Sequence, residues 1–197
     1  MTRELQRIVF LRHGLTLPQQ QRRYCGQMDP PLAPEGRRQI ARLQDSRTWP
    51  GEVVCSDLRR SIETALLLVP RVPPRIRPEW REINFGAWEG LTWEETGCED
   101  PERLRHPDFC FPRGETMARL QARVERGLRE VLRIPAEECL VIAHQGSIAA
   151  AFTLLLQTPL PTLWNYSLPC GGFRILERTG TGWVPQKDDE RTPEGVA

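Results

Sequence analysis

Lysine is nearly missing from this sequence. Of its 27 lysines and arginines only Lys187 is a lysine, and 26 acidic residues bring the formal net charge to +1. A protein that neutralises a nucleic-acid backbone needs a basic surplus, so nucleic acid is not an expected partner. No glycine-rich loop carries a phosphate-binding lysine, which leaves side chains to hold any phosphate. Cys25, Cys55, Cys98, Cys110, Cys139 and Cys170 are scattered, with no CxxC spacing. The opening Met-Thr-Arg-Glu-Leu-Gln also lacks a secretory signal, so no disulfide framework is expected and the cytoplasm is the expected compartment. No apolar run approaches the length of a membrane span. The three histidines, His13, His106 and His144, stand too far apart for a zinc pattern, and neither a metal nor another cofactor is expected.

What is present describes an ordinary globular chain. Over 197 residues it is 39% hydrophobic and 27% charged, enough for one full core with at most a small insert. The expected organisation is one domain over 1–185, a cap or insert at about 91–113, and a loose polar tail over 186–197.

The organising stretch is Arg7 to Gly14, Arg-Ile-Val-Phe-Leu-Arg-His-Gly. Four consecutive apolar residues, Ile8 to Leu11, fit a central strand buried on both faces, and such strands bring their C-terminal ends to the rim where open α/β folds place chemistry. Cys139 to Ala143 is a second run of this kind, ending in His144-Gln145-Gly146. Glu52 to Cys55 reads as a short strand, Val72 to Pro78 as a stiff connection or edge strand, and 171–177 with 182–184 as a closing hairpin. Helices are predicted over Pro34–Asp45, from a Ser56 or Asp57 cap to Val69, over Gly114–Arg133, and from a Ser147 cap through Ile148–Leu156. Arg119, Arg123, Arg126, Arg129 and Arg133 read as the solvated face of the third of these. Leu15 to Pro31 is predicted to be a loop able to fold over a ligand at the rim.

Each of the two apolar strands thus ends in a histidine followed within two residues by glycine. If the strands are parallel neighbours, His13 and His144 face one another across one pocket, with Arg12 and Arg60 at the same rim. Arginines around two histidines suit a dianion, above all a phosphate. An imidazole nitrogen is then a candidate nucleophile toward phosphorus, with a carboxylic acid protonating the leaving oxygen. Asp57, Glu79, Glu82 and Glu89 are candidates for that acid, and the residues alone do not choose among them. Trp88 and Trp93 are candidates for stacking on a substrate base or sugar.

These motifs resemble a known family. Leu11-Arg12-His13-Gly14, Cys55 to Ala65 with Arg60, Arg81 to Gly90 with Glu82, and Ala143-His144-Gln145-Gly146 resemble the histidine phosphatase superfamily of phosphoglycerate-mutase-like proteins in order, spacing and placement. The resemblance implies a three-layer α/β sandwich with a mostly parallel central sheet flanked by helices. It also implies a metal-independent phosphatase in which His13 is phosphorylated, Arg12, Arg60 and His144 complete the phosphate pocket, and Glu82 donates a proton. Gly26 falls where a loop glycine borders the site, and Gln19 where the family commonly has an asparagine on the phosphate. Leu15-Thr16 departs from the family's usual Glu-Thr. Gln145 and the compact cap region are similar to those of bacterial α-ribazole phosphatases. A small phosphorylated metabolite is therefore the expected substrate, first of all α-ribazole 5′-phosphate from cobalamin assembly. The alternatives are a broad sugar-phosphate or fructose-2,6-bisphosphatase-like phosphatase, a phosphoglycerate mutase, and a catalytically silent binder of phosphorylated ligands. A homodimer is the working expectation, and no membrane partner is expected.

Overall fold

The computed structural model describes residues 4–186 apart from Pro107. Its six strands are β1 (Arg7–Arg12), β2 (Val53–Cys55), β3 (Arg75–Ile76), β4 (Glu138–Ala143), β5 (Phe173–Thr179) and β6 (Gly182–Pro185). They form one sheet in the order β3-β2-β4-β1-β5-β6. The first four are parallel, β5 runs antiparallel to β1, and β6 closes antiparallel on β5. Five α-helices accompany them among the described residues: α1 (Leu17–Gln20), α2 (Pro34–Gln44), α3 (Arg59–Leu68), α4 (Met117–Val131) and α5 (Gln145–Leu155).

The uninterrupted apolar runs of β1 and β4 follow from this layering. Ile8 and Phe10 face one way, into a core shared with Met117, Leu120 and Val124 of α4 and Ile148 and Phe152 of α5. Val9 and Leu11 face the other way, with Ile40 of α2 and Ala65 and Leu68 of α3. Each such fully buried side chain contributes about 1.5–3 kcal/mol, and none of the four on β1 can be polar without cost. The result is a three-layer α/β sandwich with a mostly parallel sheet.

Helix boundaries follow local chemistry, twice against expectation. Pro34 opens α2 at a position where its missing N–H costs nothing, and Thr116 Oγ1 caps α4 by accepting from Arg119 N at 3.1 Å. By contrast α3 starts at Arg59 with Leu58 at the cap position, while Ser56 Oγ lies between His144 Nε2 and the Leu58 N–H and Asp57 pairs with Arg81. Likewise α5 starts at Gln145, with His144 at the cap position, and Ser147 Oγ instead accepts from the His144 N–H at 3.1 Å. The predicted loop over 15–31 contains the single turn α1.

The segment 91–113 holds 3-10 turns at Glu94–Thr96 and Pro101–Arg105. Trp93, Phe109 and Phe111 from this segment pack around Trp88, with ring centroids 5.3–6.4 Å from it. Of the tail expected to be loose, Gln186 donates to Ile175 O at 3.0 Å, and positions 187–197 lie outside the described residues.

Candidate active site

The parallel pairing of β1 with β4 puts Arg12 opposite Ala143, so the residues that follow, His13 and His144, leave the sheet side by side. His13 N donates to Ala143 O at 3.0 Å, and the two imidazole centroids are 4.8 Å apart at an interplanar angle of 57°. Both side chains are wholly buried. Arg60, in the first turn of α3, comes in from the adjacent strand's end. Its Nε–H is shared between His13 Nε2 and His144 Nδ1, each at 3.2 Å.

These contacts set the tautomers. His13 Nδ1 is 2.7 Å from Gly14 O, which can only accept, so Nδ1 carries the proton and Nε2 keeps a lone pair. His144 Nδ1 accepts from Arg60, so its proton sits on Nε2, donating to Ser56 Oγ at 2.7 Å. Burial, then the charges of Arg60 and Arg12, hold His13 well below the ordinary imidazole range, and burial, Arg60 and His13 do the same to His144. Both rings are therefore neutral near pH 7.

Glu82 arrives from the segment after β3. Its Oε1 accepts from Ile83 N at 2.9 Å and from Gly146 N at 2.8 Å, at the start of α5. Burial raises its pKa, opposed by those two N–H groups and by Arg12 and Arg60. A buried carboxyl whose pKa is raised is suited to be a proton donor. Arg12 Nη1 donates to Leu168 O at 2.7 Å, and its buried Nε has no partner. Gln19 Nε2 stands 3.5 Å from His13 Nε2, while its Oε1 accepts from Thr16 Oγ1 at 2.9 Å. Arg12, Gln19 and Glu82 line a pocket of about 170 Å³ whose other walls include Tyr24, Gln145 and Trp164.

Residues 8–188 match the Histidine phosphatase superfamily (branch 1). The chain belongs to the histidine phosphatase superfamily. A bifunctional protein of Mycobacterium tuberculosis is 32% identical over 181 residues, which is 87% of this chain and 50% of that protein. The chain thus spans about half the length of that relative. The glucosyl-3-phosphoglycerate phosphatase of the same organism is 30% identical over 201 residues, covering 93% of this chain and 89% of that one. Among solved structures, the α-ribazole phosphatase from Shigella flexneri superposes with a TM-score of 0.82 at 25% identity, over 97% of this chain and 99% of that one.

In this superfamily member two of the other candidate acids, Asp57 and Glu89, have structural partners. Asp57 takes both oxygens to Arg81, at 2.7 and 2.6 Å, and that pairing holds its carboxyl below the usual range. Glu89 accepts from the backbone N–H groups of Gly26, Gln27 and Met28 at 2.7–3.2 Å and so pins the loop they form. That loop in turn feeds Arg60: Nη1 donates to Met28 O at 2.6 Å and Nη2 to Gly26 O at 2.7 Å. A side chain at Gly26 would collide with Ile83 O at 2.2 Å, so only glycine lets this loop close on the acidic segment.

Trp88 and Trp93 do not line the pocket. Trp88 is buried in the aromatic cluster with Tyr24, Phe109 and Phe111, and Trp93 packs edge-on against it. The tryptophan on the pocket wall is Trp164, in a Pro-flanked stretch whose sequence offers no sign of it. Arg123 also departs from expectation, because it is not part of a solvated face. It pairs with Glu115 at 2.8 Å and donates to the carbonyls of Glu79, Arg81 and Glu82 at 2.8–3.1 Å, bracing the backbone that presents the Glu82 carboxyl. Ser56, a predicted cap residue, instead fixes His144. Among the described residues no group of three His, Cys, Asp or Glu could hold a metal ion, and no helix is long and apolar enough to cross a membrane.

Proposed function

We propose that this chain hydrolyses a phosphate monoester through a phosphohistidine on His13. The observation that carries this reading is one guanidinium N–H shared by two neutral, buried imidazoles, with the charges of Arg12 and a buried Glu82 carboxyl acting on the same group and one Arg12 N–H unpartnered. The Nε2 lone pair of His13 forms the new P–N bond as the ester P–O bond breaks. Glu82 gives its proton to the departing alkoxide, then takes one from the water that cleaves the P–N bond and releases inorganic phosphate. Arg12 and Arg60 hold the equatorial oxygens where charge accumulates. A bound dianion opposes the burial and arginine effects on His144 and raises it toward protonation, so the third cation forms as the substrate arrives.

The outer pocket bears on the substrate. Beyond the phosphate end the walls are Tyr24, Cys25, Ile83, Phe85 and Trp164, and the cation there, Arg23, is bonded to Glu95 at 2.7 Å and to Gly90 O at 2.8 Å. A second acidic group on a substrate would compete with Glu95 for Arg23 on that wall. This favours a neutral leaving group such as the nucleoside of α-ribazole 5′-phosphate over phosphoglycerates or sugar bisphosphates. Likeness to the α-ribazole phosphatase structure supports the same choice. The second reading, glucosyl-3-phosphoglycerate, draws on the 30% identity to its mycobacterial phosphatase but asks the pocket to take a carboxylate. The test is a panel of α-ribazole 5′-phosphate, glucosyl-3-phosphoglycerate, 3-phosphoglycerate and fructose 2,6-bisphosphate, with acid-labile phosphate on the protein measured after a brief mix. Highest kcat/KM on the ribazole ester and label on His13 are expected. No turnover and no label on any substrate would overturn the reading.

A further inference from the structure

We infer that Trp164 is a specificity-determining residue: its fixed indole is the wall on which a flat ring of the leaving group rests. The inference rests on the phosphomonoesterase reading above and names what that site selects.

Three observations carry it. Trp164 lines the pocket while packing partly against the main core, so it offers a ring surface that is neither fully buried nor loose. Its Nε1–H donates to Leu104 O at 3.2 Å, in the 3-10 turn Pro101–Arg105, and this sets the orientation of the ring. The backbone beyond it is tied to the catalytic end of α5. Gln145 Nε2 donates to Tyr166 O at 2.7 Å, and Gln145 Oε1 accepts from Leu168 N at 2.8 Å. Gln145 is thus occupied on both amide atoms in holding this stretch, and the chemistry it offers a substrate is indirect.

A ring held at both its own N–H and its flanking backbone is preorganised, so stacking on it costs little ordering of the protein. Tyr24 and Phe85, 4.9 Å apart by ring centroid, supply further aromatic surface in the same pocket. The side chain is also the route by which the 91–113 segment reaches the chemistry. That segment's own aromatic residues pack on Trp88, whereas its Leu104 carbonyl aims Trp164.

The decisive comparison uses α-ribazole 5′-phosphate and ribose 5-phosphate, which share the leaving ribose hydroxymethyl group and differ in the ring. The full chain should prefer the ribazole ester in kcat/KM by about tenfold to a hundredfold, the usual range for one base stacked on an aromatic side chain. Trp164→Leu should remove most of that preference, mainly through KM, and leave ribose 5-phosphate within about twofold. Trp164→Phe keeps a ring and should retain most of the preference; it also serves if the leucine variant does not fold. Equal losses on both esters, or an unchanged ratio in Trp164→Leu, would overturn the inference while leaving the phosphatase reading intact. A wild-type chain with neither turnover nor label on His13 would overturn both.

Discussion

Gly146→Ala tests the position of the acid. An added methyl would stand 2.4 Å from Glu82 Oε1, an ångström short of the 3.4 Å at which ordinary contact begins. The nearest other atom, Leu120 Cδ2, is already at 3.4 Å, so the conflict is with the carboxyl alone. That carboxyl is the end of a flexible side chain and can swing away, giving up its bonds from Ile83 N and Gly146 N. Leaving these two buried N–H groups without a partner costs about 1–3 kcal/mol each. Alanine returns up to about 1 kcal/mol over glycine in a helix, so a net loss of about 1–5 kcal/mol is expected. Chemistry should suffer as well, since displacing a catalytic group by an ångström costs roughly a hundredfold.

The assay contrasts two leaving groups. Ribose 5-phosphate departs as an alkoxide that needs a proton, whereas 4-nitrophenyl phosphate departs as a stable phenolate. The variant should lose about a hundredfold in kcat on the first and no more than about tenfold on the second, measured below its melting temperature, which should fall by roughly 2–20 °C. Equal losses on both substrates would show that the substitution damages the pocket as a whole. No loss on either would remove Glu82 from the role of proton donor.

Further outcomes follow from the same geometry. His13→Ala should lower turnover by at least about a thousandfold and abolish acid-labile phosphate on the protein, read by rapid quench with labelled substrate. In kcat/KM the acid limb requires neutral His13 and lies below the ordinary histidine range, because its pKa is lowered. The alkaline limb requires protonated Glu82 and lies above the ordinary carboxylate range, because its pKa is raised. The two shifts widen the active window from both sides, and Glu82→Gln should lower activity and remove the alkaline limb, as a pH series would show. Ser56→Ala strips the acceptor from His144 Nε2 and should cost roughly 1–3 kcal/mol of stability, read by urea unfolding, together with about a tenfold loss in kcat/KM.

What could be read from residues alone was whatever a single strand or helix imposes on its own sequence. The two apolar runs had to be central strands, and parallel neighbours bring their terminal histidines together whatever lies between them. The helix faces built on Ile40 and on Leu120 and Val124 likewise announce themselves by period. Features that depend on tertiary neighbours were hidden. Ser56 has the composition of a cap and becomes a histidine partner only because β4 lies beside β2. Arg123 repeats in step with solvated arginines and differs from them only in facing the Glu82 backbone. Trp164 follows two prolines in a stretch without periodicity, and its place on the pocket wall comes from the distant Leu104 carbonyl. Tryptophans near the acidic motif looked better placed and are consumed in packing around Trp88.

Arg60 explains why so much of the surrounding loop is committed to one side chain. A wholly buried guanidinium is costly unless its hydrogens are satisfied, and the usual remedy is a carboxylate in contact. Here its hydrogens go to two imidazoles and to the carbonyls of Cys25, Gly26 and Met28. Carbonyl oxygens satisfy the hydrogen bonds but carry no net charge, so the cation is solvated without being neutralised. Glu89 stays one layer back, holding the loop by its N–H groups, and it acts on Arg60, as Glu82 and Asp29 do, through charge rather than through a hydrogen bond. With no carboxylate in contact, the hydrogen-bonding face of Arg60 toward the imidazoles is left for a dianion to neutralise. Placing a carboxylate against Arg60 would make the protein easier to fold and weaken its hold on phosphate. The arrangement is costly for stability and favourable for capture of a dianion, as a phosphate site requires.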